Sequence, residues 1–178
     1  MGYWNSRGLR GSTLEELLNM THEAYRDKGL ALVQKIPTPI TPLKIDSQNS
    51  TITLAYFDQK STVDYIGVVQ GIPICFDAKE TSQRYFPLKN IHSHQIDFMQ
   101  AFERQKGLAF LLIHFQQYDE YFYLPFDALK RYWDAAAAGG RKSIPYDCFD
   151  PDLKIKVGQG FVIHYLEAVN TYLCKEKP

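Results

Sequence analysis

Residues 108–115, LAFLLIHF, form the most restrictive stretch of the chain. Apolar side chains fall on both faces of any strand drawn through it, which is the mark of a central strand covered on both sides. Helices must supply that cover, and the flanking sequence offers them. Residues 92–106 and 126–138 read as helices, and EYFYLP at 120–125 reads as a further strand. Residues 12–28 open with Ser12 and Thr13, each followed three residues later by a glutamate, Glu15 and Glu16, the pattern of a capping box. Leu14, Leu17, Leu18, Ala24 and Tyr25 make the apolar stripe of that helix, and Gly29 stops it. Residues 30–36 then read as a strand and residues 161–174 as a terminal amphipathic helix. The order is helix, strand, an excursion, two strands, helix, two strands and two helices. It predicts an α/β sandwich built on a mixed sheet.

Composition narrows the function. The chain has 178 residues, 45% of them apolar, enough for one domain over 1–178 with a real core. No apolar run is long enough to span a bilayer, and the first residues, MGYWNSRGLRGS, lack the apolar stretch of a signal peptide. Cys75, Cys148 and Cys174 are few and widely spaced, with no paired zinc spacing, so a soluble, cytoplasmic protein without disulfides is expected. Lysine plus arginine equals aspartate plus glutamate, 20 against 20. That balance neither favours nor excludes nucleic acid, because binding depends on where the cations sit.

Residues 61–80, STVDYIGVVQGIPICFDAKE, carry the chemistry. They read as two strands joined by a tight turn at Gln70–Gly71. Counting outward from Val69 opposite Ile72 sets Asp64 opposite Asp77. Directly opposed side chains have Cβ atoms about 4.5–5.5 Å apart, and two carboxylates so placed repel. Either one stays protonated or a cation sits between them. Lys79 lies two residues beyond Asp77 and so on the same face. It reads as an ion-pair partner, or as the cation that stabilises charge developing on phosphorus. Two carboxylates on a rigid hairpin suit Mg²⁺, which keeps several waters and takes other oxygens from a phosphate. A metal with an adjacent lysine is equipment for hydrolysing a phosphodiester. Cys75 shares the Asp77 face but has no base beside it, and reads as a small buried residue.

Several blocks in order, LRGSTLEELLN, KIPTPI, STVDY, GIPICFDAKET, FPLKNIHSHQIDFM and GRKSI, resemble the RecU family of Holliday junction resolvases within the PD-(D/E)xK nuclease superfamily. The resemblance implies a restriction-endonuclease-like core and a homodimer that cuts four-way DNA junctions by paired nicks. It implies a Mg²⁺ site, with Mn²⁺ as a substitute, built from Thr62, Asp64, Asp77 and Gln95. Lys79 would stabilise the transition state, and Glu15 would be the supporting helix glutamate. Residues 37–60, flanked by Pro37, Pro39 and Pro42, would be a projecting β-hairpin stalk entering the junction, and a recombinase would be a partner. Asp77 departs from the glutamate usual in the family. The arm before Arg7 is short, and the stalk sets Asp46 and Asp58 against Lys44 and Lys60.

Other residues have two readings each. Thr62 precedes Asp64 by two and would share its strand face. His92 and His94, two apart at a helix start, do not share a helix face. One of them caps the helix or meets phosphate. Arg141 and Lys142 follow two glycines and are placed to meet a phosphate backbone or simply solvent. Arg7, Arg10 and Lys44 are the other candidate DNA contacts. Tyr3 and Trp4 are weaker candidates for base stacking. Two rival functions stand beside the junction nuclease: a duplex endonuclease of the same superfamily, and a junction-binding or recombinase-modulating protein without activity.

Overall fold

The computed structural model describes residues 13–37, 39–57, 62–158 and 160–176. Chain order runs α1 (Leu14–Asp27), β1 (Leu32–Lys35), β2 (Ile40–Asp46), β3 (Thr51–Phe57), β4 (Tyr65–Val69), β5 (Ile72–Thr81), β6 (Tyr85–Pro87), α2 (Ser93–Arg104), β7 (Leu108–Phe115) and β8 (Glu120–Pro125). It continues through α3 (Phe126–Ala137), β9 (Ser143–Pro145), β10 (Lys154–Ile155), β11 (Val157–Gly158), β12 (Phe161–Ile163) and α4 (Tyr165–Glu176).

Among the described residues the main sheet has six strands in the order β1-β4-β5-β7-β8-β10. It is mixed: β5 and β7 are parallel, while β4 pairs with β5, and β7 with β8, antiparallel. The LAFLLIHF run is β7, central as expected, and its alternate side chains feed two separate cores. Phe110 and Leu112 join Leu18, Tyr25, Phe76 and Tyr165 beneath α1 and α4. Leu111 and Ile113 join Cys75, Phe86, Met99 and Leu129 beneath α2 and α3. On the first face, Tyr65 stacks on Phe76 and Phe76 on Phe110, both with centroids 4.8 Å apart. Phe110 meets Tyr123 at 4.6 Å, so one aromatic row crosses β4, β5, β7 and β8. Such cross-strand pairs are the units that stabilise a sheet.

The predicted capping box forms through Thr13. Its N–H donates to Glu16 Oε2 at 2.8 Å, and the Glu16 N–H donates to Thr13 Oγ1 at 3.3 Å. The excursion is a hairpin, β2 with β3, forming its own two-stranded sheet. Ile45, Ile52, Leu54 and Tyr56 stand about half exposed on it.

Several boundaries differ from expectation. The 30–36 strand is shorter, Leu32–Lys35. The loop expected after Lys79 is largely ordered: β5 continues to Thr81, and β6 pairs with β9 inside the expected basic loop. The terminal helix starts only at Tyr165, because Phe161–Ile163 pairs with Val157–Gly158. No helix among the described residues is long and apolar enough to cross a membrane.

Candidate active site

The β4–β5 turn fixes the site. Gln70 and Gly71 have φ of 47° and 89°, the two positive values a type I′ turn requires, and Gly71 takes the second without steric cost. The register runs Val69↔Ile72 through Tyr65↔Phe76, so the next step outward sets Asp64 against Asp77, as counted from the sequence. The two carboxylates end the ladder. The Asp64 N–H donates to Asp77 Oδ1 at 2.6 Å, and the Ala78 N–H donates to Asp64 Oδ2 at 3.3 Å. Lys79 reaches both, with Nζ 3.6 Å from Asp64 Oδ2 and 3.5 Å from Asp77 Oδ2.

Burial divides the pair. Asp77 is 0% exposed and Asp64 remains partly open to solvent. Burial raises the Asp77 carboxyl to about 6, the Lys79 charge opposes the rise, and the Asp64 charge adds to it. Asp77 Oδ2 is buried and accepts no hydrogen bond, and its contact with Lys79 is an ion pair. An anionic oxygen left so is costly without a cation to face. Burial also pushes the Cys75 thiol up, consistent with an inert core cysteine.

A recess of about 490 Å³ opens beside the pair. Asp64, just before β4, lines it with Lys79 and Glu80 of β5, and Thr13 and Glu15 line it from the start of α1. Glu15 is thus brought to the site, where it ion-pairs with Lys35. Glu80 and Lys35 are recess residues that sequence reasoning missed. Glu80 adjoins Lys79, and its proximity to the motif is the signal that was there to use. Its Oε1 lies 3.0 Å from His114 Nδ1.

The other predicted residues are placed less centrally. Thr62 is exposed and lies outside any strand, because β4 begins only at Tyr65; the expected shared strand face is not formed. Gln95 is buried in the first turn of α2, where its Oε1 accepts the His92 N–H at 3.0 Å. His92 and His94 do come together, their rings stacked with centroids 5.3 Å apart. His92 is the cap residue with extended backbone, so spacing within a helix does not govern it. Lys44, on β2, and Arg141 and Lys142, before β9, are exposed. Arg7 and Arg10 lie outside the described residues, as do Tyr3, Trp4, Asp58 and Lys60. Among the described residues no group of three or more His, Cys, Asp and Glu side chains is arranged to hold a metal.

Fold and site together define a class. A mixed sheet between helices, with two aspartates and a lysine in D-x12-D-x-K spacing on one hairpin, is the arrangement of PD-(D/E)xK nucleases. Within that class the chain belongs to the RecU family, whose model, Recombination protein U, matches residues 9–171. A Holliday junction resolvase RecU from Geobacillus sp. (strain WCH70) is 45% identical over 142 residues, covering 78% of this chain and 71% of its own. The protein of that name from Levilactobacillus brevis is 43% identical over 171 residues, 93% of this chain and 85% of its own. A solved structure of Archaeoglobus fulgidus Hjc, a Holliday junction resolvase, aligns over 62% of this chain and 77% of that one. Its 7% identity and TM-score of 0.37 make too loose a match to carry an argument.

Proposed function

We propose that the protein is a divalent-metal-dependent endonuclease that resolves four-way DNA junctions as a homodimer, one nick from each chain. The observation that carries this reading is the aspartate pair, laced across β4 and β5 with Lys79 within 3.6 Å of both carboxylates. Relatives of the chain are Holliday junction resolvases by name, and junction cleavage calls for machinery of this kind.

The donor set fits a hard cation. Asp77 offers a buried Oδ2 without a hydrogen bond, and Asp64 offers a carboxylate open to the recess. These two would hold Mg²⁺, or Mn²⁺ in its place, and water and DNA oxygens would complete the shell. When bound, the metal polarises a phosphoryl oxygen and makes a nucleophile of water. Thr62 and Gln95 are proposed as further oxygen ligands, Gln95 through the second lone pair of an oxygen already accepting from His92. Lys79, held on a rigid strand, stabilises negative charge where it develops on the scissile phosphate. Glu15 orients Lys35 at the recess mouth. The β2–β3 hairpin is the proposed stalk.

The test is a labelled four-way junction beside a linear duplex of equal length, each with Mg²⁺, with Mn²⁺ and with EDTA. Paired symmetric nicks in the junction alone, abolished by EDTA, are expected. Asp77→Ala and Lys79→Ala should each lower nicking by about 10²–10³-fold. Tight junction binding without nicks under either metal would replace this reading with a binding protein. Equal cutting of the duplex would replace it with a duplex endonuclease.

A further inference from the structure

The chain has no net charge, so any grip on DNA must come from cations left unpaired in one place. Many described lysines and arginines are neutralised by carboxylates: Lys35 by Glu15, Lys130 by Asp134, Arg131 by Asp127, Lys154 by Glu120 and Lys175 by Asp150. Arg84, Lys89, Arg141 and Lys142 differ. All four are exposed, and none forms an ion pair among the described residues, although Arg141 Nε donates to Ser143 Oγ at 3.0 Å; Lys44, Arg104 and Lys106 share that state elsewhere, but only these four meet on one ribbon.

These cations come from two segments more than fifty residues apart, and the β6–β9 ribbon assembles them. Tyr85 pairs with Pro145, Phe86 with Ile144 and Pro87 with Ser143. Two further backbone bonds close the ends. The Tyr146 N–H donates to the Arg84 carbonyl at 3.1 Å, and the Leu88 N–H donates to the Lys142 carbonyl at 3.1 Å. Arg84 therefore stands at one end of the ribbon, with Lys89, Arg141 and Lys142 at the other. Three strand residues span about 10 Å. That length covers about three phosphates along the axis of one DNA strand, at about 3.4 Å each.

The ribbon is also rigidly indexed to the site. Phe86 and Ile144 are 0% exposed and share a core with Cys75, two residues before Asp77. At the corner between β5 and β6, Thr81 Oγ1 donates to the Tyr85 carbonyl at 3.1 Å and accepts the Gln83 N–H at 3.2 Å. The strand that presents Asp77 and Lys79 thus runs directly into the ribbon. The carboxylate beside the Arg84 end, Asp147, forms no ion pair with it.

We infer that the β6–β9 ribbon is a phosphate-backbone clamp, in which Arg84 and Lys89 act with Arg141 and Lys142 to seat one duplex arm at a fixed distance from the aspartate pair. Such contacts position DNA without reading its sequence. The inference rests on the proposed DNA substrate, but not on selectivity for junctions.

The test titrates wild type and variants, in EDTA, against a labelled four-way junction and a linear duplex between about 50 and 200 mM salt, the range over which phosphate contacts show. Removing one phosphate-binding cation should reduce the slope of log K against log salt by about 0.9. Arg84→Ala/Lys89→Ala should therefore flatten the slope by about 2 on both DNAs, and Arg141→Ala/Lys142→Ala by a similar amount. Arg84→Lys/Lys89→Arg should restore it. The control is Arg104→Ala/Lys106→Ala, which removes the same charge at the far end of α2, about 18 Å along the helix axis. It should leave the slope unchanged. Thermal melting should match wild type throughout, since all these side chains are exposed. A wild-type slope in Arg84→Ala/Lys89→Ala, or an equal loss in the control, overturns the clamp. A wild type that binds both DNAs alike, with the slope loss present, upholds the clamp and counts against the junction reading. A wild type that binds neither DNA overturns both.

Discussion

Asp77 is the residue on which the site's energetics turn. Its carboxylate is removed from water, and the attraction of Lys79 does not fully offset that loss. The folded protein therefore binds the Asp77 proton more tightly than the unfolded chain does, between the ordinary carboxyl value and about 6. Linkage then fixes the sign: the contribution is favourable at low pH and is lost as pH rises through that window. In EDTA, the urea midpoint of wild type should fall relative to that of Asp77→Asn as pH rises from about 4 to 6. Above that window the asparagine variant should be the more stable protein. A wild-type midpoint that rises relative to the variant would sink this account. Lys79 stands in a different position. Its amine lies between two carboxylates, which is where both a structural ion pair and a transition-state cation would sit. Only activity measurements on Lys79→Ala separate those roles.

At the scale of the element, the hairpin shows which features a sequence can reveal. A two-residue turn with positive φ at both positions dictates the pairing of everything that follows it. The Asp64–Asp77 opposition and the Lys79 face were therefore legible from residue order alone. The β6–β9 ribbon was not, because three-residue strands have no periodicity to detect and exist only through their tertiary partner. The same holds for β12, whose Phe161, Val162 and Ile163 fit the start of a helix as well as a strand; packing of Phe161 on Tyr25, with centroids 4.9 Å apart, accompanies the strand. Gln95 as a helix-capping side chain was hidden behind the ligand role that the resemblance implied. One residue of the hairpin is under a constraint of another kind. A Cβ added at Gly67 would lie 2.4 Å from the Leu32 carbonyl oxygen and 2.9 Å from Val33 Cγ2, on the neighbouring edge strand β1. Since β1 carries Lys35 into the recess, β1 and β4 must stay close for the site to form. Gly67→Ala should cost about 1–3 kcal/mol by the overpacking rule, read from chemical denaturation. A variant as stable as wild type would mean that β1 yields without penalty.

For the whole molecule, the decisive quantity is one aspartate pair per chain. A single site makes one nick, whereas resolving a four-way junction takes two nicks in strands related by a two-fold axis. A homodimer supplies this symmetry without any further chemistry. Co-expressing wild type and Asp77→Ala under two different affinity tags, then selecting for both tags, should yield a heterodimer. On a supercoiled plasmid bearing a cruciform, wild type should give linear product by two nicks within one encounter. The heterodimer should instead accumulate nicked circles, because one of its subunits lacks the carboxylate proposed to hold the metal. Failure to recover any doubly tagged species would remove the dimer from the proposal. A heterodimer that linearised the plasmid as fast as wild type would show that one site can serve both strands, and that resolution needs no two-fold pair of sites.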